Sequence, residues 1–161
     1  MLNLCLIVYI HGGGFVFTSA ASTINQDFCV KLAADLSAVI IFVDYHLAPE
    51  PHLPAAYDDA IETLKWLKTT QELWLTQFCD FSCCFVVGTS AGANIAYHAR
   101  LHATQFIDDL QPLKIKGLIL HHQFFRGLEI ELIKDPFLTL FGIDFTWELA
   151  LPINSDRDHE Y

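Results

Sequence analysis

The chain has 161 residues, enough for one domain with a real core, and 53% of them are hydrophobic. That is high for a domain of this length and points to a sheet buried on both faces or to a piece of a larger domain. The 19 acidic and 9 basic side chains give a formal net charge of −10 with no basic cluster, which argues against a nucleic-acid footprint, and the longest purely apolar runs, such as Ala38–Val43, are far too short to span a membrane.

The stretch Leu2–Ile10 has the look of a signal-peptide core, with Thr18–Ser22 as a small-residue cleavage site. It lacks a basic flank, and cleavage there would remove the glycine run that follows, so a cytoplasmic location is expected. Five cysteines (Cys5, Cys29, Cys79, Cys83, Cys84) are odd in number, and their spacing fits no usual zinc pattern. They read as free thiols of a reducing compartment, and no metal or cofactor is expected.

In chain order, Leu4–Ile10 is a continuous apolar run predicted as a buried strand. His11-Gly12-Gly13-Gly14-Phe15 follows without a spacer. Thr23 and Gln26 read as a capping box, with Ile24, Phe28, Leu32, Ala33 and Leu36 at helical spacing. Ala38–Val43 is a second strand, and Asp44–Pro51 is a proline-dense loop. Pro54 opens a helix with Tyr57, Ala60, Ile61, Leu64 and Leu67 on one face. Trp74, Leu75 and Phe78 make a short apolar patch.

Cys84–Val87 then runs as a strand into Gly88-Thr89-Ser90-Ala91-Gly92. Ile95, Ala96, Ala99 and Ala103 mark the packing side of the next helix. A polar break at Thr104–Pro112 leads to a fourth strand at Ile115–His121. Beyond Gln123 come Asp135-Pro136, an apolar Phe137–Phe141, a helix around Phe145–Ala150 and a polar tail, Asn154–Tyr161. This rhythm is that of an α/β protein with a mostly parallel sheet and helices on both faces. No internal repeat or linker is visible.

Gly-x-Ser-x-Gly between a strand and a helix has the form of a nucleophile elbow. Gly88 and Gly92 fit where a Cβ would clash, and the serine is forced out at a helix N-terminus, where negative charge is favoured. A triglycine loop at a strand end exposes several amide donors with no side chains in the way, as a tetrahedral oxyanion needs.

Taken together, His11–Phe15, Asp44-Tyr-His-Leu-Ala-Pro-Glu50, Leu53-Pro-Ala-Ala-Tyr-Asp-Asp59, Gly88–Gly92 and Asp156-Arg-Asp-His-Glu-Tyr161 resemble the plant carboxylesterases, in the hormone-sensitive-lipase-like branch of the α/β-hydrolase fold. The gibberellin receptors are non-hydrolysing relatives in that branch. The resemblance implies that residues 1–161 are a single partial α/β-hydrolase domain, the central portion, with an N-terminal cap and a C-terminal segment bearing the catalytic Asp and His absent. It implies a serine carboxylesterase acting on a small-molecule acyl ester through an acyl-serine intermediate, impaired in this chain. By the family pattern Ser90 is the nucleophile, Gly13, Gly14 and Ala91 supply the oxyanion hole, and His11, Gly12, Gly88 and Gly92 are structural members of the motifs.

The chain departs from that pattern where it carries no acid or histidine matching the family's. Serine without an adjacent base is a poor nucleophile. His121 and His122, at the end of a strand next to the elbow, are candidates for an improvised base, against a pocket-lining or solvated role. His98 and His102 lie along the elbow helix, His98 roughly 12 Å from the serine along the axis, too far to fold back, and His159 reads as exposed. Asp44, Asp58 and Asp59 read as scaffold, and Trp66, Trp74 and Trp147 as core or cap packing. Ala93 stands where many relatives have a further glycine, and Arg126 falls in a stretch that is glycine-rich in relatives. Two other functions compete with catalysis: a hydrolase-fold pocket that binds without turnover, or an inert fragment that pairs its uncovered sheet edge with another chain. Oligomeric state is not legible.

Overall fold

In the computed structural model, residues 3–104, 110–125, 139–155 and 159 are described. The first apolar run forms β1 (Leu4–Ile10). It lies between β2 (Val39–Val43) and β3 (Cys79–Thr89), and β4 (Ile115–His121) pairs with the far side of β3. All three pairings are parallel. Because side chains alternate along a strand, β1 feeds two cores. Leu6, Val8 and Ile10 enter the larger one, while Ile7 and Tyr9 enter a smaller one with Cys29, Ala38 and Val87. The uninterrupted apolar run is the sequence form of this two-sided burial.

Helix α1 (Thr23–Leu36) joins β1 to β2. Helices α2 (Ala55–Thr69) and α3 (Leu73–Phe78) join β2 to β3, α4 (Ala91–Thr104) joins β3 to β4, and α5 (Leu140–Ala150) follows. The step from β1 to β2 and the step from β2 to β3 run in opposite directions across the sheet, so right-handed crossovers put their helices on opposite faces. Accordingly, Cys29 of α1 lies in the smaller core, whereas Tyr57 and Leu64 of α2 and Ile95 and Ala99 of α4 lie in the larger. Each of the five residues expected on the inner face of α2 is buried, as are the four expected on α4. No helix among the described residues is long and apolar enough to cross a membrane.

Several expectations are corrected. Ser22, not Thr23, caps α1, and its side chain makes no capping bond, because Ser22 Oγ already accepts from Ser19 N at 3.0 Å. The apolar spacing of α1 does not produce a buried face: Cys29 alone is buried, and Ile24 is 75% exposed. The elbow strand is longer than its apolar run, since Phe81, Ser82 and Cys83 loop out between Asp80, opposite Cys5, and Cys84, opposite Leu6. That bulge brings Cys83 onto Cys5, and the two form a disulfide, so Cys29, Cys79 and Cys84 are the free thiols. Burial pushes the Cys84 thiol up to about 12 and the Cys29 thiol up to about 11. Helix α5 begins earlier than Phe145, because Thr139 Oγ1 accepts from Gly142 N at 3.1 Å and caps it. Trp147 is core, whereas Trp66 and Trp74 are nearly half exposed. Arg126, Asp135-Pro136 and most of the motif at Asp156–Tyr161 lie outside the described residues.

Candidate active site

The elbow forms because β3 must turn into α4 with almost no room. A β-carbon on Gly88 would come closer than 3.0 Å to the backbone of Gly92 and Ala93, and one on Gly92 closer than 3.0 Å to the carbonyl oxygens of Ile10 and His11. Ser90 sits at φ +54°, a left-handed conformation that L residues seldom hold. It is held there from both sides. Its amide donates to His121 O at 2.9 Å, and its carbonyl accepts from Ala93 N at 2.9 Å and Phe124 N at 3.2 Å.

The glycine loop leaves the carboxyl end of β1, the strand next to β3, and so arrives beside the serine. A β-carbon on Gly12 would stand 3.0 Å from Ser90 Cβ and 3.0 Å from Thr89 O. Gly13, at φ +112°, accepts through its carbonyl from Val16 N at 3.1 Å and Phe17 N at 2.8 Å. Those bonds curl the loop and leave the amides of Gly13 and Gly14 without an acceptor among the described residues. Ala91, the first residue of α4, likewise starts a helix whose opening amides have no partner inside it.

Three side chains pin this loop. Tyr45 Oη donates to His11 O at 3.1 Å and Gly12 O at 3.3 Å. Thr18 Oγ1 donates to Gly12 O at 3.1 Å. His11 is fully buried and stacks on Tyr45 with 4.3 Å between ring centroids. Its Nδ1 lies 2.7 Å from Gly12 O; a carbonyl can only accept, so Nδ1 carries the proton. Burial lowers the His11 pKa, opposed in part by that bond to Gly12. The imidazole is thus a neutral brace for the loop. Burial likewise raises the Tyr45 phenol well above its ordinary range.

Gly13, Gly14 and Ser90 line one cavity of about 410 Å³. Its other described walls are Phe17, Phe124 and, from α5, Gly142, Ile143, Phe145 and Thr146. Behind them Trp147 packs on Phe124 and Phe15, with centroids 5.5 and 5.0 Å apart. A nucleophile-bearing turn and a glycine loop with free amides meet at one half-open, largely apolar pocket, whereas Ala91 at the helix start is buried beside Ser90 and does not line it. A family profile described as alpha/beta hydrolase fold matches residues 7–161.

The chain belongs to the α/β-hydrolase fold family. It is 50% identical over 168 residues to 3-O-acetylpapaveroxine carboxylesterase CXE2 of Papaver somniferum, covering 97% of this chain and 53% of that protein. It is 47% identical over 164 residues to carboxylesterase 20 of Arabidopsis thaliana, covering 99% of this chain and 50% of that one. Gibberellin receptor GID1B of Arabidopsis thaliana is more distant, 35% identical over 160 residues, covering 96% and 43%. Among solved structures, a hyperthermophilic esterase from the archaeon Pyrobaculum calidifontis superposes with a TM-score of 0.79 at 28% identity, over 93% of this chain and 49% of that one. The chain spans about half the length of the curated relatives it matches. The resemblance to plant carboxylesterases is therefore a real one.

In this hydrolase-fold chain the motif residues come together, but the histidines weighed as an improvised base do not join them. His121 lines a different cavity, with Ile119, Thr89 and Phe28, on the smaller-core face of the sheet. His122, at φ +49°, packs edge-on against His121 with 4.1 Å between centroids. Neither imidazole lines the Ser90 cavity or hydrogen-bonds the serine. His98 stacks on Tyr57 at 4.5 Å, and His102 is exposed on the last turn of α4. His159 is part-buried rather than exposed. The scaffold reading of the carboxylates fits the geometry: Asp44 Oδ1 accepts from Ala20 N at 2.8 Å, Asp59 Oδ2 accepts from His46 N at 2.7 Å, and Asp58 stands in the first turn of α2. Ala93 is wholly buried and takes no part in the pocket wall.

Sequence reasoning missed the pocket walls Phe17, Phe124, Phe145 and Thr146, and the Tyr45 brace. Phe17 had a usable signal, two residues beyond the glycine motif. The α5 residues had none, because an apolar residue near the end of a chain looks the same whether it lines a core or a cavity.

Proposed function

We propose that this chain carries the nucleophile and oxyanion hole of a serine carboxylesterase for small acyl esters. The observation that carries the reading is the closeness of the two motifs, with the Gly12 β-position 3.0 Å from Ser90 Cβ and Gly13, Gly14 and Ser90 on one cavity. In the reaction, Ser90 Oγ attacks the ester carbonyl carbon as its proton passes to solvent water, which returns one to the departing alkoxide. The carbonyl oxygen becomes an oxyanion received by the amides of Gly13, Gly14 and Ala91, at the N-terminus of α4. The tetrahedral species collapses to acyl-Ser90 and releases the alcohol, and water then frees the acid.

No described histidine hydrogen-bonds Ser90, so on this reading turnover is impaired, and acylation goes no faster than loss of the Ser90 proton to solvent allows. The name of the Papaver relative describes a carboxylesterase of an acetylated compound, which supports a short acyl group. A second reading, a pocket that binds a small molecule without turnover, is favoured by the same lack of an imidazole beside Ser90 and by the likeness to the gibberellin receptor.

Incubation with 4-nitrophenyl acetate, followed by intact-mass analysis, separates the two. The esterase reading expects slow nitrophenol release and an acetyl adduct on Ser90, both abolished in Ser90→Ala. Identical behaviour of the two proteins overturns it and leaves binding, which a ligand-dependent rise in melting temperature would report.

A further inference from the structure

Resting on that esterase reading, the walls of the Ser90 cavity assign a substrate class. We propose that Phe17 and Phe145 make the site selective for uncharged esters carrying an apolar, ring-sized group beside the ester bond. The two rings come from separate elements, the loop after β1 and helix α5, and both line the cavity that holds Ser90. They are 56% and 44% exposed, so ring area stands open to a ligand instead of being spent in the core. Phe141 stacks on Phe145 with its plane 10° away and 6.3 Å between centroids, which braces that ring without filling the cavity.

The polar group that could have competed is turned away. Thr146 Oγ1 donates back to Ile143 O at 2.9 Å. Its methyl faces Gly14, where a β-carbon would stand 3.0 Å from Thr146 Cγ2. The wall that threonine offers is therefore hydrocarbon, pressed against the loop that holds the free amides. None of the described residues lining the cavity is charged.

Among the described residues lining the cavity, an anionic ester finds no cation for its carboxylate. Buried against phenyl rings it loses hydration without a partner. The groups in the cavity that favour an anion are the free amides, which the ester oxygen needs, so a carboxylate there displaces the reacting group instead of anchoring it. A neutral ring gains aromatic contact with Phe17 and Phe145 and displaces water from apolar surface.

The test uses the full chain carrying Ser90→Ala, which keeps the ester intact, and ligand-observed NMR titration at pH 7.5. The probes are phenyl acetate and 4-acetoxybenzoate, alike in acyl group and ring and different in charge. Phenyl acetate is expected to bind about tenfold tighter or more. Adding Phe145→Ala or Phe17→Ala should weaken it by about two- to tenfold. Adding Phe145→Lys should narrow or reverse the preference, with melting curves verifying that each variant folds. Equal affinity for the two esters, or ring truncations without effect, overturns the proposal. Turnover in the Ser90 chain keeps the two readings apart. If phenyl acetate binds with this preference and is not cleaved, the selectivity stands and the esterase reading falls. If both esters are cleaved alike, the esterase reading stands and the selectivity falls.

Discussion

Three glycine-to-alanine substitutions place the elbow's packing on a common scale. At Gly92 the added carbon would lie closer than 3.0 Å to Ile10 O, His11 O and Ile10 C. All three are backbone atoms at the end of β1, which is hydrogen-bonded to a strand on each side. Nothing there can swing away, so either α4 or the strand end must move. Overpacking in a rigid core costs about 1–3 kcal/mol and more when backbone must shift, and Gly92→Ala is placed at about 3 kcal/mol or above. At Gly117 the carbon would meet Phe85 Cδ1 at 3.0 Å and Cε1 at 3.1 Å. A ring edge can tilt, and alanine recovers about 0.5–1 kcal/mol over glycine inside a strand. The net effect is expected within about 1 kcal/mol of zero. At Gly142 the one close neighbour among the described residues is Thr139 Oγ1 at 3.2 Å, and helix propensity favours alanine by up to about 1 kcal/mol. Thermal melts followed by circular dichroism, with urea midpoints as a second measure, should show Gly92→Ala falling by roughly 6–12 °C at about 2–4 °C per kcal/mol. Gly117→Ala and Gly142→Ala should stay within a few degrees. A Gly92→Ala protein as stable as Gly117→Ala would refute the claim that α4 is wedged against β1.

Tyr45→Phe keeps the stacking on His11 and removes one hydroxyl that bonds His11 O and Gly12 O. The expected loss is about 1–2 kcal/mol, read as a urea-midpoint shift at unchanged slope; an unchanged midpoint would show that the loop holds itself. His11 supplies a pH signature. Burial lowers its folded pKa below the ordinary value near about 6.5, so between those values the unfolded chain binds more protons. Stability from this residue is thus fully present above about pH 6.5 and is lost as pH falls toward the folded value. Melting temperature between pH 7.5 and 5.5 should drop more steeply for the wild type than for His11→Gln, and parallel curves would contradict the neutral-brace assignment.

The strands and two of the helices were legible because their residues carry the pattern and its outcome together. Leu4–Ile10 is apolar throughout, and both faces of β1 are covered; the α2 face from Tyr57 to Leu67 is periodic and fully buried. Helix α1 departs from its pattern. Periodicity records which side of a helix is apolar, not whether anything lies opposite to cover it. Phe28, Leu32 and Leu36 border an open apolar cavity of about 470 Å³ with Phe85, Val87 and Ile119. The Cys5–Cys83 bond was invisible because it depends on a bulge that shifts the register between Cys5 and Leu6. The misplacement of His121 as a base had a readable correction. Two residues along a strand face the same way, so His121 follows Ile119 toward the α1 side, and both line that cavity.

Strand order, more than either motif, makes the candidate site. Gly13 and Ser90 stand 77 positions apart in the chain, yet the sheet runs β2-β1-β3-β4, and the glycine loop and the elbow leave the carboxyl ends of adjacent strands. Neighbouring strands lie about 4.8 Å apart. If β2 had paired between β1 and β3, as its place in the chain would allow, the two ends would stand about 10 Å apart. Donors must lie about 2.7–3.1 Å from an oxyanion to stabilise it, so neither motif could then serve the other. The long crossover through α2 and α3, which carries the chain past β1 to β3, is therefore as much a part of the chemistry as Ser90. A substitution that weakens the α2–α4 contact, such as Tyr57→Phe, which removes the 2.8 Å bond to Asn94 Oδ1, should loosen the elbow helix without touching the pocket wall. It should lower stability by about 1–2 kcal/mol while leaving the phenyl acetate preference over 4-acetoxybenzoate unchanged. A loss of that preference in Tyr57→Phe would mean that the pocket walls and the elbow helix are not the separable units that the packing describes.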